Sequence, residues 1–215
     1  MNTRTRIKIC GLTREADVEA AVNAGADAIG LVFYEPSPRC VSLTRAVELA
    51  RRLPPFVTPV GLFVNAAPAQ VDAALQAIPT LVLQFHGDES PADCERHARA
   101  YLRAARVQAG FDLLDFARQY ASAQAILLDA PVHGYGGGGK VFDWSLVRCD
   151  APLPVVLSGG LHAANVLEGI QQLRPWAVDV SSGVESAKGI KDAQAIRRFC
   201  DAVREADART QASIA

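Results

Sequence analysis

Cys10 closes the apolar run Arg6–Cys10, and Asp129 closes Ile126-Leu127-Leu128. A thiol and a carboxyl group at the ends of apolar runs have the right types for acid–base chemistry, one removing a proton and the other supplying one. Each also has a plainer role. A lone cysteine is more often a small buried hydrophobe, and a poorly solvated aspartate can simply partner a loop N–H or a cation. Two glycine loops point to a different chemistry: Leu157-Ser158-Gly159-Gly160-Leu161, and Val180-Ser181-Ser182-Gly183-Val184-Glu185. Glycine lets backbone N–H groups approach an anion closely, so Gly159, Gly160, Ser181, Ser182 and Gly183 are candidate phosphate ligands. Arg39 follows Pro36 and Pro38, whose rigid rings would aim its guanidinium for a bidentate grip on a carboxylate. His86 ends another apolar run and is a candidate substrate ligand, with a hydrogen-bonded rim histidine as the alternative. Lys8 and Asp179 lie within apolar runs and are read first as a mutually neutralising buried pair. A second role for Asp179, holding a substrate hydroxyl, stays open because it lies close to a glycine loop. The loop Gly134–Lys140 is either a flexible linker or a mobile lid whose Lys140 faces an anion.

Something must hold these residues together. Short apolar runs rich in β-branched residues recur at Arg6–Cys10, Ala28–Phe33, Val57–Val64, Leu81–Phe85, Leu102–Val107, Ala125–Asp129, Pro154–Ser158 and Ala177–Ser181. Most are apolar on both faces, which suits parallel strands covered on both sides. Helical patterns separate them. Thr13 is positioned to cap a helix carrying Val18, Ala21 and Val22 that ends at Gly25, and Ser90-Pro91 and Ala67-Pro68 carry proline at the first helical position. Pro54-Pro55 stops the helix containing Val47, Leu49 and Leu53. Leu114, Ala117 and Ala121 are spaced to share one face, as are Ile196, Phe199 and Val203. The sixth helix, Asp143–Arg148, is short. Strict strand–helix alternation repeated eight times predicts a single-domain α/β fold, a (β/α)8 TIM barrel over residues 1–206, followed by a polar, frayed tail at 207–215. An open doubly wound sheet would carry a phosphate loop such as GxGxxG after the first strand, and Cys10-Gly11-Leu12-Thr13 is not one. In a barrel the chemistry belongs to the C-terminal strand ends, where all these candidates fall, and phosphate sites recur after strands seven and eight.

Composition narrows the partners. The 215 residues carry a formal net charge of −1 with both signs dispersed, which argues against a nucleic-acid partner. No apolar run approaches the ~18 residues of a membrane span, and the start, MNTRTRIKICG, has no apolar signal core. Cys10, Cys40, Cys94, Cys149 and Cys200 are widely spaced, without CxxC, so a disulfide framework is not expected and the cytoplasm is the natural compartment. His86, His97, His133 and His162 have no ligand spacing, so no metal is expected. The sequence points to a small-molecule substrate and a chain working as monomer or homodimer.

Taken in order, Lys8–Thr13, Gly30–Tyr34 with Ser37-Pro38-Arg39, Gln84–Glu89, Leu127–Asp129, Gly136–Lys140 with Phe142-Asp143-Trp144, Leu157–Leu161 and Val178–Glu185 make the chain similar to the phosphoribosylanthranilate isomerase family from residue 6 to about 205. Phe85 stands where that family usually has Leu, and Gly138 where it often has Thr or Ser. The resemblance implies an Amadori rearrangement of N-(5-phosphoribosyl)anthranilate in tryptophan biosynthesis, with no metal or redox cofactor. It also implies Cys10 as general base, Asp129 as general acid, Arg39 on the anthranilate carboxylate, and the two glycine loops on phosphate. Ordinary Asp (pKa ~3.9) and Cys (pKa ~8.5) suit those tasks poorly at neutral pH. The expectation is therefore a raised Asp129 and a Cys10 lowered by nearby donors such as Lys8. Two alternatives remain: another phosphosugar barrel enzyme, such as indole-glycerol-phosphate synthase or a histidine-pathway isomerase, or a barrel that binds its ligand without turning it over.

Overall fold

The computed structural model describes residues 4–130, 143–147 and 151–212. Eight parallel strands close in chain order: β1 (Arg6–Cys10), β2 (Ala28–Val32), β3 (Thr58–Phe63), β4 (Val82–Phe85), β5 (Tyr101–Arg106), β6 (Ala125–Asp129), β7 (Val155–Leu157) and β8 (Ala177–Val180). Each lies within a residue or two of its expected run. The connections carry α1 (Glu15–Asn23), α2 (Leu43–Ala50), α3 (Pro68–Ala77), α4 (Pro91–Glu95), α5 (Leu113–Gln119) and α6 (Val166–Leu173), and α7 (Ala193–Ala212) follows β8. Among the described residues of the sixth connection, a 3-10 turn, Trp144–Leu146, stands where the short sixth helix was expected. A two-stranded hairpin, β9 (Glu185–Ala187) and β10 (Ile190–Lys191), sits between β8 and α7.

The two-residue period of the strands sorts their side chains into two cores. Ile7, Ile9, Ile29, Leu31, Phe63, Leu83, Ile126, Leu128, Leu157 and Val178 point outward and pack with the helices. A second cluster, Ala104, Ala125, Leu127, Val156 and Ala177 with Leu102 against it, plugs the lumen. These small and branched residues fill its lower part. Counting on by twos along the same strands brings Lys8, Cys10, Gln84, His86, Asp129 and Asp179 into the lumen above that plug, all of them buried. The alternation that fills the barrel also collects its polar residues at one mouth.

Several local expectations need correction. Arg14 is the N-cap of α1 and makes no side-chain cap, while the Thr13 hydroxyl donates to the Gly189 carbonyl at 2.7 Å, pinning the β9–β10 turn. Gly25 does follow that helix with φ 83°. Leu53 lies beyond α2, which ends at Ala50. The buried face at α5 is Leu113, Ala117 and Tyr120, because Asp112 caps the helix by accepting from Leu114 and Asp115 and so fixes its rotation. The polar tail does not fray at 207: α7 continues to Ala212, and the Asp207 carboxylate accepts from the Thr5 amide at 2.8 Å and its hydroxyl at 2.6 Å. The N1 prolines at 68 and 91 are as expected, and Ser90 caps α4 in a capping box with Asp93. The Gly134–Lys140 loop lies outside the described residues.

Candidate active site

Cys10 sits at the last position of β1, in register with Gly30 of β2. A Cβ on residue 30 would lie 2.5 Å from Sγ, so the thiol occupies space that only glycine leaves. The amides of Gly11 and Leu12 both donate to the Gly30 carbonyl, at 2.9 and 3.1 Å, and turn the chain out over the mouth. Gly11 has φ 75°, and a Cβ there would meet the Arg39 stem at 2.4 Å. Arg39 therefore lies directly over the residue that follows the thiol.

The Arg39 fork is bidentate, but its partner is internal. Nε and Nη2 donate to the two carboxylate oxygens of Glu185 at 2.7 and 2.8 Å. Glu185 also accepts from Lys191 Nζ at 2.8 Å, and Lys191 donates to the Ser181 carbonyl at 3.0 Å. The β9–β10 hairpin supplies both residues and so ties the Arg39 loop to the loop after β8. Burial works against the Glu185 charge, yet Arg39 and Lys191 together hold its carboxyl below the usual range. Lys191 is pulled down by its own burial, against the attraction of Glu185.

Lys8 and Asp179 form the expected pair. They are aligned in the β1–β8 register and meet at 2.8 Å, with side chains only 6% exposed. Burial penalises the Lys8 charge most, but Asp179 and Cys10 outweigh it and raise its pKa. The expected lowering of Cys10 does not occur. Burial pushes the thiol up, and the pull of Lys8 and Lys191 is partly cancelled by the negative charge of Asp179. The cation expected to activate the thiol is already neutralised by its strand partner.

At the end of β6, Asp129 Oδ1 accepts from the Ala130 amide at 2.9 Å, and Oδ2 lies 3.0 Å from His86 Nε2. Nδ1 of the same ring lies 3.1 Å from the side-chain amide nitrogen of Gln84. Both ring nitrogens are thus engaged within the protein, and His86 faces Asp129 rather than standing free for a ligand. The loop holding it is fixed from below. Glu89 accepts from the amides of Asn65 and Gly87, at 2.7 and 2.8 Å. Buried Arg103 donates to the carbonyls of Phe85, Gly87 and Ala104 at 3.0 Å each.

The glycine loops come together beside this carboxylate. Gly159 has φ 80° and Gly160 φ 64°, and a Cβ on Gly159 would stand 2.6 Å from the Ala130 amide nitrogen and 3.0 Å from Asp129 Oδ1. Gly183, in the 3-10 turn Ser182–Val184, packs so closely on the Leu161 carbonyl that no side chain fits. Among the described residues, the N–H groups of Gly159, Gly160, Ser182 and Gly183 donate to no protein acceptor. An anion could take those donors without displacing anything. No group of three or more His, Cys, Asp or Glu suited to a metal occurs among the described residues.

Glu185, Lys191, Gln84, Arg103 and Glu89 belong to this site or its support, and the sequence reading gave them no role. Gln84 and Arg103 carried a usable signal, since each is a polar residue embedded in an apolar strand like Lys8 and Asp179. Lys191 carried none, because nothing in a polar stretch marks a lysine as fully buried.

A closed ring of parallel strands with its polar groups gathered at the C-terminal mouth defines a (β/α)8-barrel enzyme. The comparisons with known proteins narrow this class. The family described as N-(5'phosphoribosyl)anthranilate (PRA) isomerase matches residues 7–202. The N-(5'-phosphoribosyl)anthranilate isomerase of Methylibium petroleiphilum is 73% identical over 210 residues, covering 98% of this chain and 99% of the relative. That of Leptothrix cholodnii is 73% identical, covering 96% and 94%. The crystal structure of phosphoribosyl anthranilate isomerase from Thermotoga maritima superposes with a TM-score of 0.87 at 40% identity, covering 94% of this chain and 99% of that one. A phosphoribosyl anthranilate isomerase in complex with reduced 1-(o-carboxyphenylamino)-1-deoxyribulose 5-phosphate does so at 0.83 and 37% identity, with 94% and 99% covered. The chain belongs to the phosphoribosylanthranilate isomerase family.

Proposed function

We infer that the chain catalyses the Amadori rearrangement of N-(5-phosphoribosyl)anthranilate to 1-(2-carboxyphenylamino)-1-deoxyribulose 5-phosphate, an isomerisation in tryptophan biosynthesis. The observation that carries this reading is the thiol of Cys10 and the carboxyl group of Asp129 at the ends of β1 and β6 of one barrel, with unpaired amides after β7 and β8 beside them. Phosphate binds the amides of Gly159, Gly160, Ser182 and Gly183, with Ser181 and Ser182 supplying hydroxyls. Arg39 receives the anthranilate carboxylate on its remaining Nη1–Nη2 edge while Glu185 holds the other edge in place. Asp179, paired with Lys8 and 3.5 Å from the Ser158 hydroxyl, borders the sugar. His86 contributes through Asp129.

Held at both ends, the sugar lies between acid and base. Asp129 gives its proton to the ring oxygen, the C1–O bond breaks, and a cationic Schiff base forms. Cys10 takes the proton from C2, leaving an enolamine that tautomerises to the ketone. The raised thiol is compatible with this order of events, because the Schiff base brings a positive charge beside the sulfur when the thiolate is needed. The reaction as written requires no redox cofactor.

No helix among the described residues is long and apolar enough to cross a membrane. We take the cytoplasm as the enzyme's compartment and a monomer or homodimer as its working form. The test is the fluorescence of phosphoribosylanthranilate incubated with purified protein: a decay that scales with enzyme concentration is expected, and a flat trace sinks the assignment.

A further inference from the structure

Gln84 is fully buried in the lumen, and its two amide atoms are treated very differently. The nitrogen lies 3.1 Å from His86 Nδ1, whereas Oε1 has no hydrogen-bond partner among the described residues. An amide N–H only donates, so Nδ1 must accept and the ring proton must sit on Nε2. Nε2–H then donates to Asp129 Oδ2 at 3.0 Å. The opposite amide orientation would set Oε1 against Nδ1, require the proton there, and turn the Nε2 lone pair toward Asp129, leaving the carboxylate without that donor once its proton is given up. A buried carbonyl oxygen without a partner is costly. The amide nevertheless keeps the orientation that gives Asp129 a donor.

We propose that Gln84 is a positioning residue that locks His86 as its Nε2–H tautomer, so that a neutral imidazole stabilises the Asp129 carboxylate formed when the acid gives up its proton. A fixed donor aimed at the oxygen where negative charge develops stabilises that charge without reorganisation during the step. Ala130 and His86 each occupy one carboxyl oxygen. The acid is thereby held in one plane. The inference rests on Asp129 being the acid.

Long-range 1H–15N correlation spectra of the 15N-labelled wild-type enzyme test it directly, with His86 assigned by loss of its signal in His86→Asn. Nδ1 in the unprotonated range and Nε2 in the protonated range are expected, and the reverse pattern overturns the proposal. In a double-mutant cycle, Gln84→Met should lower kcat about tenfold, ~1.4 kcal/mol, at unchanged KM. In a His86→Asn background the same change should alter kcat less than about twofold. An equal loss in both backgrounds means that Gln84 acts as packing only, and overturns it. The wild-type spectrum stands even if a variant fails to fold. An Asp129→Asn enzyme that keeps its rate defeats the acid assignment itself, whereas an inactive Asp129→Asn together with an Nδ1–H signal in the wild-type spectrum defeats only the role of Gln84.

Discussion

Gly30→Ala isolates the placement of the thiol from its chemistry. Gly30 does not have positive φ, so alanine meets no backbone penalty there and the effect is steric. The new methyl group would stand 2.5 Å from Cys10 Sγ and 3.0 and 3.1 Å from its Cα and Cβ. Ordinary contact needs about 3.5–4.0 Å, so the sulfur or the strand beneath it must give by about 1 Å. A displacement of that size in a reacting group costs on the order of 10²-fold in rate, or ~2.7 kcal/mol. Overpacking should also lower stability by about 1–3 kcal/mol. Gly61→Ala is the matched control one strand over. Its Cβ would press on Leu81 Cδ2 at 2.9 Å and Phe63 Cε2 at 3.0 Å, on the helix side of the sheet. It should lose similar stability and keep kcat within about threefold. Steady-state decay of substrate fluorescence and urea unfolding of both variants give the comparison. A folded Gly30→Ala enzyme with near wild-type kcat, or a Gly61→Ala enzyme equally slowed, would refute the claim that the thiol depends on the space beside it.

Cys10→Ala and Asp129→Asn should each reduce kcat by about 10³-fold or more with KM little changed, read in the same assay. Arg39→Ala should instead mainly raise KM, by about tenfold or more, because it removes a carboxylate ligand. Because burial raises the Cys10 thiol, kcat/KM of the free enzyme should still be climbing as pH passes the ordinary thiol value of about 8.5; a plateau from neutral pH would contradict it. Glu185→Gln keeps the size of the side chain but removes its charge and one acceptor, leaving Arg39 and Lys191 uncompensated near the sulfur, so iodoacetamide should alkylate Cys10 faster at fixed pH. Burial also pushes Cys94 up to about 12 and Cys200 up to about 11. The folded state holds those protons more tightly than the unfolded chain, so their contribution is complete below pH 9 and is lost as pH rises through 11 to 12. The urea midpoint should fall across that window, and less steeply in a Cys94→Ala, Cys200→Ala double variant.

The barrel was legible because its signal is repeated: eight apolar runs alternating with helical patterns admit few arrangements. The rim residues were legible for the same reason, since strand ends determine which side chains reach the mouth. Lys8 and Asp179 could be paired because closure makes the first and last strands neighbours. The electrostatics of Cys10 were misjudged through that same pair. Lys8 was read both as the partner of Asp179 and as a donor lowering the thiol, but burial dominates at Cys10 and Asp179 offsets part of the pull of Lys8. Thr13 has the composition of a cap, but its hydroxyl finds the Gly189 carbonyl, a partner 176 positions away that no local pattern reveals. Asp207 and Thr5 likewise order a segment that reads as solvated. The Arg39 fork is bidentate, but onto Glu185, an internal partner that needed the hairpin fold to appear.

The pairing of β1 with β8 also has a consequence for biosynthesis. Lys8 and Asp179 are 171 residues apart, and Thr5 and Asp207 are 202 apart. Contacts this distant in the chain form late, because the intervening loop must close before they repay its entropy. A nascent chain still missing its last strand exposes the open edges of β1 and β7 and has no assembled thiol environment. The enzyme should therefore switch on abruptly after translation rather than gain activity piecemeal, and the unclosed ring is the species a chaperone would need to shield.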